Sequence, residues 1–145
     1  MTNEQIEERV KAFVAAQNAN DLDALVSAYS PDGTRVMGAS VTRGREALRR
    51  TYERVWKALT NRTMTVHRLT VAAPRAVIEY TEHAPHAASV ETAFGEIPAS
   101  QKEFDIHGCG VMDFDEQGIR ELRVYSDALF QMLALSNSHR AATSR

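Results

Sequence analysis

The sequence predicts a single α+β domain in which a curved sheet closes over helices around one apolar pocket. Two observations carry that prediction. Helical periodicity occupies the first part of the chain and strand patterning most of the rest, an order that belongs to α+β proteins. Residues 104–135, FDIHGCGVMDFDEQGIRELRVYSDALFQMLAL, then read as two apolar-rich segments flanking an acidic turn, Asp115-Glu116-Gln117-Gly118, with a short helical pattern behind them. That is a β-hairpin whose last strand ends in Asp127, placed to cap a C-terminal helix.

Taken in order, Ile6, Val10, Phe13, Val14 and Gln17 recur at helical spacing and predict an amphipathic helix over residues 3–19. Asn20 and Asp21 are natural N-caps for a second helix with Leu22, Leu25, Val26 and Tyr29 on one face, and Ser30-Pro31-Asp32-Gly33 breaks it. A short strand is expected at 34–37. Gly44 opens a third helix over 45–59 with Leu48, Tyr52, Val55, Trp56 and Leu59 as its inner stripe. Strands follow at 63–71 and 76–83, separated by Ala73-Pro74. In the second of them Ile78, Tyr80 and Glu82 share one face and Val77, Glu79, Thr81 and His83 the other. Residues 84–103, punctuated by Pro85, Gly95 and Pro98, are expected to form an extended hairpin or loop over the pocket mouth. The closing hairpin covers 104–114 and 119–126, the last helix 128–135, and a polar tail 136–145 is expected to fray.

Composition bounds the function. The 145 residues suit one domain, assigned to 1–135, and 43% hydrophobic residues supply a sizeable core. A net charge of −2 without a basic stripe argues against nucleic acid as a partner. No apolar run approaches the about 20 residues that span a bilayer, so no membrane partner is expected. The start, MTNEQIEERVKAF, lacks a basic segment followed by an apolar one, and a lone cysteine, Cys109, allows no intrachain disulfide; both favour a cytoplasmic protein.

Four segments carry a family resemblance: Asn18-Ala19-Asn20-Asp21-Leu22-Asp23-Ala24-Leu25, Gly44-Arg45-Glu46-Ala47, Ile97-Pro98-Ala99-Ser100, and Tyr125-Ser126-Asp127 before a Leu/Gln-containing helix. In this order and spacing the chain resembles the nuclear transport factor two-like (NTF2-like) superfamily, in particular its SnoaL-like polyketide cyclase and limonene epoxide hydrolase branches. The resemblance implies a cone-shaped α+β barrel, commonly a homodimer, with a deep pocket between sheet and helices. Members include cofactor-free cyclases, isomerases, dehydratases and hydrolases as well as binding modules, so the fold alone does not fix the activity. The chain departs from the catalytic patterns. Where the epoxide hydrolases carry an essential Asp three positions before the residue matching Asp127, this chain has Val124. Tyr80 and Glu82 stand where that branch places Arg and Asp, and Gly110 stands where the cyclases place a His, with His107 close by.

Glu82 is the leading catalytic candidate. A carboxylate in an apolar cleft has its pKa raised by desolvation and serves as an acid or base near neutral pH. Tyr80, on the same face, is placed to donate a hydrogen bond to a developing enolate oxygen. His83 is a candidate proton relay at the pocket mouth. Together Glu82, His83 and His86 look like a metal cluster, but on a strand or turn they would not converge, and no metal is expected. Asp105, His107 and Cys109 alternate against Ile106, Gly108, Gly110 and Met112. Either the glycine face lines the pocket and makes room for a ligand, or the register is reversed and Asp105–His107 become the acid/base couple. Asp127 reads first as the cap of the last helix and anchor of the strand end, with catalysis as the competing role. A pocket wall of Phe13, Tyr29, Met37, Tyr52, Trp56, Ile78, Met112 and Val124 is expected, each equally readable as core. Cys109 reads as a small buried hydrophobe or the partner of His107. Asn61-Arg62-Thr63 reads as a chance glycosylation sequon, and Arg43, Arg45, Arg49, Arg50 and Arg54 as a solvated face.

Two functions fit this reading. The first is a cofactor-independent acid/base enzyme (cyclase, isomerase or dehydratase) acting on an apolar, carbonyl-bearing small molecule. The second is a non-catalytic binding or dimerisation module, supported by Val124 replacing the aspartate. A homodimer through the outer sheet face is expected.

Overall fold

The computed structural model describes residues 1–92 and 95–143, the side chains of 136–143 excepted. Helix α1 (Asn3–Asn18) starts at a capping box: Thr2 Oγ1 accepts from the Gln5 amide at 3.2 Å, and Gln5 Oε1 accepts from the Thr2 amide at 2.8 Å. Its Ile6, Val10, Phe13 and Gln17 stripe is buried, as the spacing requires. Helix α2 (Leu22–Ser27) is capped by Asp21, whose carboxylate accepts from the Ala24 amide at 2.9 Å. Helix α3 (Arg45–Ala58) buries Leu48 and Tyr52.

Six strands form one sheet in the order β2-β1-β8-β7-β4-β3: β1 (Tyr29–Met37), β2 (Ser40–Arg43), β3 (Thr63–Ala72), β4 (Arg75–Pro85), β7 (Glu103–Asp115) and β8 (Gly118–Ser126). All neighbours are antiparallel except β1 and β8. The sheet wraps the helices without closing, with β2 and β3 as its edges, so the cone-shaped α+β architecture is as expected and its sheet is open. Strands β5 (Val90–Thr92) and β6 (Gly95–Ile97) form a separate small ribbon, and α4 (Ala128–Thr143) follows β8.

The interior has two parts. The larger core joins α1, α2 and α3 to the concave sheet face through residues such as Ile6, Leu25, Tyr29, Leu48, Ile78 and Met112. The smaller one gathers the end of α3 (Ala58) and Leu59, with Ala84, Ile97, Phe104 and Met132. Among the described residues no helix is long and apolar enough to cross a membrane.

Several local expectations are corrected. Ser30-Pro31-Asp32-Gly33 does not separate α2 from a short strand; it lies inside β1 as an irregularity, where Tyr29 pairs with Ile119 but Thr34 already pairs with Glu121. Proline lacks an N–H for the ladder, so an out-of-register stretch is where a strand tolerates it. Gly33 fits there because a Cβ would lie 2.7 Å from the Ile119 carbonyl oxygen. Tyr29 therefore belongs to β1, not to the α2 face. Strand β2, absent from the sequence reading, pairs Ser40–Arg43 back onto β1. A bulge between Val66 and Arg68 makes His67 an extra residue and places Leu69 opposite Ile78 on the inner face. Helix α4 continues to Thr143, past the 128–135 span, because nothing after Ala128 is Gly or Pro to stop a helix already nucleated. The side chains of the polar tail lie outside the described residues.

Candidate functional site

The inner face of β4 positions the site. Period-two alternation buries Ile78 and Tyr80 and leaves the Glu82 side chain 13% exposed. Opposite, β7 presents Gly108 and Gly110 in register with Tyr80 and Ile78. Tyr80 needs that glycine: a Cβ at position 108 would lie 2.5 Å from the Tyr80 hydroxyl oxygen. The ring lies across the space a side chain would fill. Helices α1 and α3 roof these strands, and a cavity of ≈ 60 Å³ remains between them. Its lining includes Phe13, Gln17, Arg35, Tyr52, Trp56, Arg62, Ile78, Tyr80, Glu82 and Val124. That volume holds a few water molecules or one small polar group, since one water needs roughly 10–15 Å³.

Arg62 organises this interior. It lies between α3 and β3, after Asn61, whose φ of 53° is a left-handed conformation that asparagine tolerates. Its side chain is 1% exposed, and Nε lies 3.0 Å from Glu82 Oε1. Nη2 donates to the Gln17 carbonyl at 3.2 Å. The guanidinium stacks over the Trp56 ring, 4.1 Å from its centroid. An aromatic ladder supports this seat: Phe13 packs edge-on Tyr29 at 6.0 Å, and Tyr52 edge-on Trp56 at 6.2 Å. Tyr29 and Tyr52 share a hydrogen bond of 2.7 Å between their hydroxyls. Arg62 Nη1 is buried without a hydrogen-bond partner among the described residues. Arg35, half-buried on β1, sits over Tyr52 with its guanidinium carbon 5.5 Å from the ring centroid.

Electrostatics follow from burial. Desolvation pushes the Glu82 carboxyl above its ordinary range; the Arg62 and Arg35 charges and the Gln17 amide, 3.1 Å from Oε1, pull against it. Tyr80 is raised by burial and then by the Glu82 charge, so its phenol keeps its proton at neutral pH and acts as a donor. Burial draws Arg62 down while Glu82 opposes it, and a guanidinium stays charged throughout.

The structure divides the sequence-predicted site. Glu82 and Tyr80 meet in the cavity, with Phe13, Tyr52, Trp56, Ile78 and Val124 on its wall. Tyr29, Met37 and Met112 do not line it: Tyr29 and Met112 are core, and Met37 packs against the smaller core. The glycine face of β7 is the inner one, so Asp105, His107 and Cys109 lie on the outer face. His83 is outside too, its Nδ1 2.8 Å from Asp105 Oδ1, which raises the imidazole pKa. It therefore cannot relay protons at this cavity. Asp127 accepts from the His107 amide at 2.8 Å and from Gln131 Nε2 at 3.1 Å, so its carboxylate ties β7 to α4, away from the cavity. Burial alone would raise Asp127, but these bonds outweigh it and the net shift is downward. His86 is buried in the smaller core edge-on to Phe104, its Nδ1 3.4 Å from the Ser100 amide, and desolvation lowers its pKa. Glu82, His83 and His86 thus occupy three separate surroundings. None of the described residues between 84 and 103 lines the cavity; Ile97 covers the smaller core instead.

Arg62 and Arg35 are the site residues the sequence reading missed. Extending the alternation of β3 backward from buried Met64 would have placed position 62 on the inner face. Of the arginines read as a solvated face, Arg45 instead binds the Tyr29 carbonyl through Nε at 2.9 Å.

A family model described as the SnoaL-like domain matches residues 10–122. No curated protein matches the chain by sequence. Among solved structures, a candidate SnoaL-like polyketide cyclase from Jannaschia sp. CCS1 superposes with a TM-score of 0.81 at 17% identity, over 92% of this chain and 93% of the other. AclR from Streptomyces galilaeus, a candidate hydroxylase, gives 0.77 at 16% identity, covering 94% and 98%. TsrD from Streptomyces laurentii gives 0.76 at 21%, covering 93% and 97%. At these identities the likeness establishes the fold.

Proposed function

The chain belongs to the SnoaL-like domain family of the NTF2-like superfamily, and on that premise we propose that it is a cofactor-independent acid/base enzyme, of cyclase, isomerase or dehydratase type, for a small carbonyl compound. One observation carries this reading. A carboxylate and a phenol, Glu82 and Tyr80, line one largely apolar cavity, with the carboxylate raised by burial. The Gln17 hydrogen bond and the Arg62 ion pair both fall on Glu82 Oε1. As base, Glu82 takes a proton from the carbon beside the carbonyl. The Tyr80 hydroxyl donates to the enolate oxygen as negative charge develops there. The protonated Glu82 then delivers the proton to the rearranged product. Such chemistry requires one acid, one base and exclusion of water.

The test is hydrogen–deuterium exchange at the carbon next to the carbonyl of short ketones and oxo-acids in D₂O, followed by proton NMR. The wild-type protein is expected to accelerate exchange, and Glu82→Gln to lose about 10²–10⁴-fold of it while remaining folded. Undiminished exchange in Glu82→Gln would reject the assignment. A second reading, ligand binding without turnover, draws on the Arg62–Glu82 pair, which already engages the carboxylate in a cavity of ≈ 60 Å³. It predicts saturable binding with exchange at the buffer rate.

A further inference from the structure

The charged groups on the cavity wall are unequal in number. Arg35 and Arg62 face a single carboxylate, Glu82, giving two positive charges against one negative and a net of +1. Glu82 Oε1 is held by Arg62 Nε and Gln17 Nε2, so the local pairing consumes one edge of one guanidinium. Arg62 Nη1 is left buried without a partner on a side chain that is itself 1% exposed. Among the described residues Arg35 forms no ion pair: its guanidinium contacts the Tyr52 ring and the Met37 sulfur, 3.5 Å from its Nη2, and feels the Glu82 charge only at a distance. Neither offers it a counter-charge. A buried N–H left without a partner is unfavourable, and each one in a folded protein calls for a reason, a ligand that completes it being one.

From the surplus guanidinium charge and the orphaned buried N–H, we infer that this cavity recognises the carboxylate of its ligand, Arg62 Nη1 and Arg35 being its receptors. Resting on the acid/base reading of the same site, the inference narrows the substrate from any carbonyl compound to a short oxo-carboxylic acid. The oxo group faces Glu82 and Tyr80, and the carboxylate answers the arginines. Arginine suits this role because its planar donors match the two oxygens of a carboxylate. The volume of ≈ 60 Å³ limits what is enclosed to a small head group.

The experiment is isothermal titration calorimetry at low ionic strength with acetate, butyrate and hexanoate, each matched by its primary amide of equal size. Wild-type protein is expected to bind the acids at least about tenfold tighter than the amides, the scale of one charge-assisted hydrogen bond. Arg35→Met should erase most of that preference. Glu82→Gln should tighten acid binding several-fold, because it removes the one negative charge beside the site. Arg62→Lys, which retains charge but loses the planar donors, should weaken acids and spare amides; Arg35→Met carries the test if that variant does not fold. Equal binding of acids and amides, indifference of the acids to Arg35→Met, or weaker acid binding in Glu82→Gln would each overturn the inference. The two proposals fail separately. Acid-selective binding without Glu82-dependent exchange removes the enzyme and keeps the carboxylate site. Exchange that proceeds equally on ketones and oxo-acids does the reverse.

Discussion

Glu82 and His83 are neighbours on β4, yet they face opposite sides of the sheet and make ion pairs of similar length with different physics. Glu82 meets Arg62 at 3.0 Å with the two side chains 13% and 1% exposed; His83 meets Asp105 at 2.8 Å with both about half exposed, at 50% and 55%. Outside, water competes for each partner and salt screens the pair. Inside, the charges have only each other, and breaking the pair strands one of them. Distance alone therefore says little about an ion pair; the surroundings decide whether it decorates a surface or sets the chemistry of a cavity.

The sharpest way to probe the contrast is Arg62→Met. It is expected to destabilise the fold by about 3–5 kcal/mol in denaturant unfolding, because Glu82 loses its buried partner. The loss should grow with pH. A carboxyl whose folded pKa lies above 4.5 contributes stability that is complete below 4.5 and disappears as pH rises through the folded value, and removing Arg62 moves that value further up. A loss below about 1 kcal/mol, flat in pH, would place the interior pair on a par with the exterior one.

Tyr80→Phe comes next. It should leave folding intact and lower exchange about 10²–10³-fold, the cost of losing a preorganised donor to an oxyanion. Unchanged exchange would mean that the phenol is wall and not machinery. Gly108→Ala then asks how tightly the interior is fitted. The new methyl collides with the Tyr80 ring, and about 1–3 kcal/mol of stability should go with the displaced side chain. The smallest effect belongs to the exterior. Asp105→Asn should not move the unfolding midpoint measurably in physiological salt, but the NMR titration of His83 should fall back toward 6.5. Any stabilisation by this pair is present below 6.5 and is lost as pH rises through the raised folded value, so an effect that strengthened in alkali would contradict the assignment.

Sequence pattern revealed the two faces unequally. Alternation along 76–83 placed Tyr80 and Glu82 together correctly, because a strand with one buried side leaves each residue only two directions. The glycines of β7 pointed the same way for a steric reason, since Gly108 gives room to Tyr80 across the ladder. Arg62 escaped notice because an arginine beside an asparagine after a helix looks like solvent-exposed punctuation. Only the seat built by Trp56, Gln17 and Glu82, from three elements far apart in sequence, makes its burial affordable. The bulge at His67 was equally silent, since one extra residue inverts the inward set without changing the composition of the strand. Asp105 and His107 looked catalytic by residue type, and the register sent them to the convex side; Asp127, just past β8, is held by the His107 amide and Gln131.

Trp56 is the chain's single tryptophan and forms the floor beneath the Arg62 guanidinium. All indole emission consequently originates at the cavity wall, and a cation resting on that ring colours its spectrum. The molecule thus carries its own optical gauge: a guest that draws on the guanidinium would register as a shift in fluorescence, without dye, tag or turnover.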